Sequence, residues 1–485
     1  MGWIVALLLS MPAILTAQQI AIGTYPAVGL YAITAGPDGA LWFTASGGIG
    51  RMTTAGAVTV YPVPSYGGDA ITAGPDGALW FTANSFGIGR ITTVGAVTVY
   101  PLPTASSEGL WGITAGPDGA LWFTEFNNGK IGRITTGGVV TEYPVSAGQP
   151  QGITAGPDGA LWFTLVVNGF SGYIGRITTG GVVTEYPVPF ADSFPQGITV
   201  GPDGALWFTD GNSSIGRITT AGVVTAEYPV TGIQNSGSGI TAGPDGALWF
   251  VETEEPRIGR ITTAGVVTLY TVPNGGFGCF VEGITAGPDG ALWFTQCGSI
   301  GEAVFVTAGL GVSPASGSYR TNLTFTGTAF APNEIVHVYA YGIGSAVLAT
   351  ATADESGSFT ATALQPPLSP YGPRLFLGVG QNSGKLGAAS LAVTPRLILE
   401  PSSGAAGSTA KVLGFGFDRS QIVQIGWGPL NAATVLGNAT TNQSGYFEGA
   451  AALTVTIPSG ASPGLHLVFG RENPSVIGKA YFKVE

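Results

Sequence analysis

The chain has 485 residues, too many for one ordinary domain, and only 9% of them are charged. Its 79 glycines and formal net charge of −11 describe a turn-rich, acidic protein. With no basic field for phosphates, nucleic acid is excluded as a partner, and cations or neutral ligands are the candidates. In chain order, the apolar run over residues 4–9 and the Leu15-Thr16-Ala17 stretch before Gln18 read as a signal peptide spanning residues 1–17. A basic leading segment is missing, so a non-cleaved anchor or a misplaced start is the competing reading. No later segment approaches the ~20 apolar residues of a membrane span. With only two cysteines in the chain, the expectation is a secreted or cell-surface protein with no membrane span once mature.

A phrase close to Ile-Thr-Ala-Gly-Pro-Asp-Gly-Ala-Leu-Trp-Phe-Thr then begins at Ile33, Ile71, Ile113, Ile153, Ile198, Ile240 and Ile284, about 42 residues apart. Pro presets φ for a turn and Gly supplies its left-handed position, so each phrase predicts a tight hairpin. An Ile-Gly-Arg-Ile-Thr strand and a Val-Val-Thr-Glu-Tyr-Pro strand complete a four-stranded unit. Pro is tolerated in that last strand if it forms an outer edge. Such units at this period are propeller blades. The expectation is an all-β chain with a seven-bladed β-propeller over residues 20–309.

After the seventh hairpin no Tyr-Pro strand follows, but Ile22-Gly23-Thr24-Tyr25-Pro26 matches that pattern ahead of the first. The N-terminal strand 21–27 therefore completes the seventh blade and removes the free edges of the ring. Cys279 and Cys297 flank the seventh hairpin, which suggests a disulfide across it.

Beyond residue 311 a weaker repeat appears. Asp354-Glu355-Ser356-Gly357-Ser358-Phe359 recurs as Asn442-Gln443-Ser444-Gly445-Tyr446-Phe447, an offset of about 88 residues. Two β-sandwich modules, 311–394 and 396–485, are predicted. They resemble the Ig-like modules of bacterial surface proteins, with spacer and carbohydrate-contact roles both open.

Within each blade the Gly-Pro-Asp-Gly and Thr-Thr-x-Gly turns scarcely vary and share one face of the disc, while the other connections vary widely and share the opposite face. Variation confined to one face marks the binding face of a repeat protein. The residues just before each Gly/Ala-Ile-Thr step are Tyr31, Asp69, Trp111, Gln151, Gln196, Ser238 and Glu282, and they are the candidate ligand-binding set around the channel mouth. Glu125, Asp210 and Glu252 follow Trp-Phe-Thr or Trp-Phe-Val and are candidate ligands for a hard cation such as Mg²⁺ or Ca²⁺, against ordinary solvated loop acids. The recurring turn aspartates and strand arginines read as turn capping and blade-to-blade pairing, and the seven phrase tryptophans as blade packing.

The phrase, with Ile-Gly-Arg-Ile-Thr and Val-Val-Thr-Glu-Tyr-Pro, resembles the repeat of the virginiamycin B lyase (streptogramin lyase) family over residues 20 to about 307. The resemblance implies a metal-assisted elimination that opens a cyclic depsipeptide at its ester, with a histidine base and Mg²⁺ polarising the carbonyl. Those histidines precede the Gly/Ala-Ile-Thr step in the last two repeats, where this chain has Ser238 and Glu282. Its family acid positions in the last repeat hold Phe280 and Gln296, and its only histidines are His337 and His466 in the C-terminal modules. The expectation is a lyase-like propeller that binds a small molecule, peptide or glycan without the family's acid–base apparatus. A metal-dependent lyase using Glu282 as base, and an adhesive or glycan-binding platform, are the alternatives.

Overall fold

The computed structural model describes residues 18–485 apart from 28–29, 64–68, 84–86, 104–108, 147, 168–170, 191, 232–235, 253–254, 273–280, 297, 341–344, 367–371, 418–420, 431–433, 443–444 and 474–475. The signal peptide and the Cys279–Cys297 pairing lie outside the described residues. No helix of the described chain is long and apolar enough to cross a membrane.

Seven four-stranded antiparallel sheets form the propeller. Blade three is typical: Leu110–Ala115 lines the channel, followed outward by Leu121–Glu125, Lys130–Ile134 and Val140–Pro144. In the seventh blade the fourth strand is Ile20–Pro26, which pairs antiparallel along its whole length with Ser299–Phe305.

The repeated phrase builds the core between blades. Leu-Trp-Phe-Thr is buried at all four positions because both faces of the second strand are covered by neighbours. Trp42 packs with Ile71, Leu79 and Phe81 of the next blade and stacks on Tyr61 of its own outer strand at 5.6 Å. Beyond that tyrosine lies Gly95 of the next blade, at φ 90°, whose added Cβ would come 2.3 Å from the Tyr61 ring. A turn glycine is needed there both for its left-handed backbone and for the ring it admits. At the closure Gly56 meets Tyr25 in the same way, its Cβ position 2.5 Å from that ring.

The turn aspartates act within a blade, not between blades as their repetition suggested. Asp38 accepts from Trp42 Nε1 at 2.9 Å and from Arg51 Nε at 2.6 Å, and five further blades repeat this arrangement. One carboxylate thereby fastens the turn to the second and third strands of its own sheet. Burial alone would raise the Asp38 carboxyl, but hydrogen bonds from Trp42 and Arg51 outweigh it and hold the group below its usual range.

Blade seven breaks the pattern. Glu302 occupies the arginine position, opposite Trp293, and is 1% exposed. Tyr25 donates its hydroxyl to Glu302 at 2.7 Å. This blade carries the first C-terminal module: the Arg374 guanidinium donates to the Thr24 carbonyl, Thr307 N donates to Leu386 O at 2.9 Å, and Leu375 and Leu377 join the cluster containing Ile300 and Val304. The exchange of Arg for Glu at this blade stands in the sequence as Ile300-Gly301-Glu302.

The first module packs a three-stranded sheet (Gly309–Ser313, Asn322–Thr328, Phe359–Leu364) against a five-stranded one around Phe325, Phe330 and Phe376. The second runs as one path of seven strands, with the short strand Ser403–Gly404 pairing off it, that wraps around Phe417, Phe447 and Phe482, more closed than two separate sheets. His337 lies on the strand Ile335–Tyr339, and His466 stacks on Trp427 at 4.7 Å.

Candidate functional site

The propeller's channel-lining strands do not run straight. In blades one, three, four, five, six and seven the first strand slips register against the second just before the Ile-Thr step. In blade three the slip falls between Leu110 and Ile113, so Trp111 and Gly112 form the bulge. A β-bulge re-aims a side chain out of the pleat. In blades one, three, four, five and seven the residue beside the slip, Tyr31, Trp111, Gln151, Gln196 or Glu282, lines the channel.

The threonine of Trp-Phe-Thr fixes that bulge, a role the repetition of the phrase concealed. Thr164 Oγ1 accepts from Gly152 N of its own blade at 2.9 Å and donates to the Gln196 carbonyl of the next at 2.6 Å. Thr124 and Thr295 do the same for Gly112 and Gln151, and for Gly283 and Tyr31. Blade six has Val251 at this position and lacks the clasp. Thr164→Val copies that natural exchange. It should fold and lose about 1–3 kcal/mol, because a buried donor and a buried acceptor are orphaned. Urea denaturation checks this, and an unchanged midpoint would contradict the positioning role.

The strands enclose a cavity of about 740 Å³ at the channel mouth, within the range of small-molecule sites. Tyr31, Asp69, Trp111, Gln151, Gln196 and Glu282 all line it. Ser238 sits on the strand Ser236–Ala242, with only its neighbours Gly239 and Ile240 among the described lining. Around the ring the order is Glu282, Tyr31, Asp69, Trp111, Gln151, Gln196, giving an acidic and aromatic arc followed by an amide arc. Trp111 is 38% exposed and is held from behind by Phe126, stacked at 4.7 Å and 11°.

Burial raises the Asp69 carboxyl above its usual range. Glu282 is raised by burial first and by the Asp69 charge second, so the two acids share one field across Tyr31.

Glu125, Asp210 and Glu252 are not part of this cavity. Each ends a second strand opposite the residue before the slip, as Leu110↔Glu125 shows, and each is committed to its own blade. Asn128 Nδ2 donates to Glu125 at 3.0 Å. Asp210 accepts from the Ser193 hydroxyl at 2.5 Å and from Phe194 N at 2.6 Å. Glu252 accepts from Glu255 N at 3.2 Å and faces Arg257 at 3.8 Å. Among the described residues no three His, Cys, Asp or Glu side chains come together as a metal site. Among the described residues the acids lining the mouth are Asp69 and Glu282, while Glu125, Asp210 and Glu252 are held by partners of their own blades.

The virginiamycin B lyase family model matches residues 16–149 and 147–304, more than half of the sequence. The chain belongs to the virginiamycin B lyase family. Its structure is similar to a streptogramin B lyase at 36% identity and a TM-score of 0.54, covering 59% of this chain and 97% of the other. A catalytically inactive histidine-to-alanine variant of the virginiamycin B lyase from Staphylococcus aureus, solved with quinupristin, matches at 35% identity and TM-score 0.54 over 59% of this chain and all of the other. The extracellular domain of a two-component system from B. thetaiotaomicron shares the fold at 14% identity and TM-score 0.51, covering 77% of this chain and 59% of that one. No curated protein matches the chain.

The residues that would hold a lyase's metal do not fit one here. Gln296 is buried and donates to Ser299 Oγ at 2.6 Å, and Phe280 lies outside the described residues. An amide bound to a neighbouring hydroxyl supplies no charge for a hard cation.

Proposed function

We propose that this protein is a binding member of the streptogramin lyase family, exported from the cell, which holds a streptogramin-sized ligand at the channel mouth without opening it. The observation that carries the reading is the cavity to which six blades each contribute one side chain, of five residue types and none of them histidine. Export rests on the apolar run over residues 4–9 and the Leu15-Thr16-Ala17 stretch. Loss of a general base alone removes a factor of about 10²–10⁴ in rate. Glu282 supplies a carboxylate with a raised pKa, and among the described residues no metal ligands gather beside it.

The test is calorimetric titration with quinupristin followed by mass spectrometry of the recovered antibiotic after prolonged incubation with millimolar Mg²⁺. Saturable binding with no ring-opened isomer is expected. Formation of that isomer at a rate proportional to protein, abolished by a chelator, would establish a lyase instead and make Glu282 the first residue to replace.

A further inference from the structure

The cavity has a chemical bias that its size alone does not express. Among the described residues its charged lining is Asp69 and Glu282, and no Lys, Arg or His lines it. Tyr31 stands between these acids and Trp111 follows Asp69 around the ring, both more than one-third exposed. Carboxylates beside open aromatic faces favour an organic cation, through charge-assisted hydrogen bonds and cation–π contact.

A second and independent observation comes from Gln151. It is 1% exposed, lines the same cavity, and neither its amide nitrogen nor its amide oxygen has a hydrogen-bond partner. Burying a primary amide unsatisfied is costly. Its backbone is held by Thr124 and by the Gly152 bulge, so the amide starts from a fixed point on the cavity wall. A group presenting one donor and one acceptor satisfies it.

Resting on the channel mouth as a ligand site, we propose that the site selects an organic ammonium ion, its charge between Asp69 and Glu282, its apolar body on Trp111 and Tyr31, and an amide of the ligand paired with Gln151. Among the described lining the other titratable group beside the acids is the Tyr31 hydroxyl; Lys130 is engaged by Glu142 and Arg257 by Glu255. Both acids carry carboxyls raised by burial, so they charge fully only as pH rises above the usual carboxylate range, and cation binding strengthens in the same direction.

The experiment uses the full chain and matched pairs of aromatic amino-acid amides, each free amine set against its N-acetyl derivative, beginning with L-phenylalaninamide and N-acetyl-L-phenylalaninamide. By calorimetry at pH 6.5, where the α-amine is mostly protonated and stays so at lower pH, the charged member of each pair should bind about tenfold more tightly or better, the scale of one charge-assisted hydrogen bond. Glu282→Gln and Asp69→Asn should each erase most of that preference while circular dichroism shows an unchanged fold. Gln151→Leu should weaken both members of a pair alike. Lowering the pH to 5 should reduce the preference.

Equal binding within pairs, an unchanged preference in both acid variants, or no binding by any amine would overturn the proposal. Saturable quinupristin binding alongside any of those results would leave the channel standing as a ligand site, so the two readings fail separately.

Discussion

Deletion of residues 18–27 should leave a protein that aggregates or melts at a distinctly lower temperature. The strand Ile20–Pro26 supplies every pairing partner of Ser299–Phe305 on its outer side, so its loss exposes a full sheet edge. Side-chain ties go with it: Tyr25 to Glu302, the Thr24 carbonyl to Arg374, and Tyr270 to the Gln18 carbonyl at 2.7 Å. Tyr25 also fills the space over Gly56 in blade one, so the outer part of the interface between the last and first blades loses its packing. Size-exclusion chromatography with differential scanning calorimetry is the measurement. A monomer with unchanged melting would mean that the ring does not depend on this strand.

Glu302→Gln should stabilise the protein at pH 8 and leave it nearly unaffected at pH 5. Burial is the main cause that raises the Glu302 carboxyl to about 8, with the Asp289 charge adding to it and the Tyr25 hydrogen bond opposing. The folded state therefore holds a proton that the unfolded chain releases near its ordinary value of 4.5. Between those two values the folded protein binds more protons, and its stability falls as pH rises, by at most about 1.4 kcal/mol per pH unit. Tyr25, itself raised well above its usual range by burial and by Glu302, stays protonated throughout this window and can donate to either oxygen. Glutamine reproduces the neutral acid, so the variant should lose the slope. Urea midpoints from pH 5 to 8 decide it; a flat wild-type profile, or a variant that keeps the slope, would contradict the buried proton. At the acid end the sign reverses. The carboxyls of Asp38, Asp76, Asp118, Asp158 and Asp203 are held low, and the stability they contribute is lost as pH falls through their folded values.

Periodicity carried most of the fold. Gly-Pro-Asp-Gly and Leu-Trp-Phe-Thr specify a hairpin wherever they occur, and seven of them at one spacing fix the architecture. The position before each Gly/Ala-Ile-Thr step varies where its neighbours do not, and six of its seven residues line the cavity. What could not be read was direction. Glu125, Asp210 and Glu252 stand at the same end of the disc as Trp111 and Gln151, yet the register slip turns the latter inward and leaves the acids opposite Leu110, Pro195 and Ser236, buried in their own blades. A bulge shifts facing by one residue, and nothing in the local composition announces it. The Thr clasp was hidden for the opposite reason: its repetition looks like packing, and only Val251 marks it as a separable role.

The most direct test of the channel mouth as the ligand site uses the contrast among the tryptophans. The seven in the repeated phrase are fully buried between blades, whereas Trp111 stands half-open on the cavity wall. Protein labelled with 5-fluorotryptophan should show one ¹⁹F resonance that moves on addition of quinupristin, and that resonance should be the one missing from Trp111→Phe. A shift in any buried blade tryptophan with Trp111 unmoved, or saturable binding that leaves every resonance in place, would contradict the assignment.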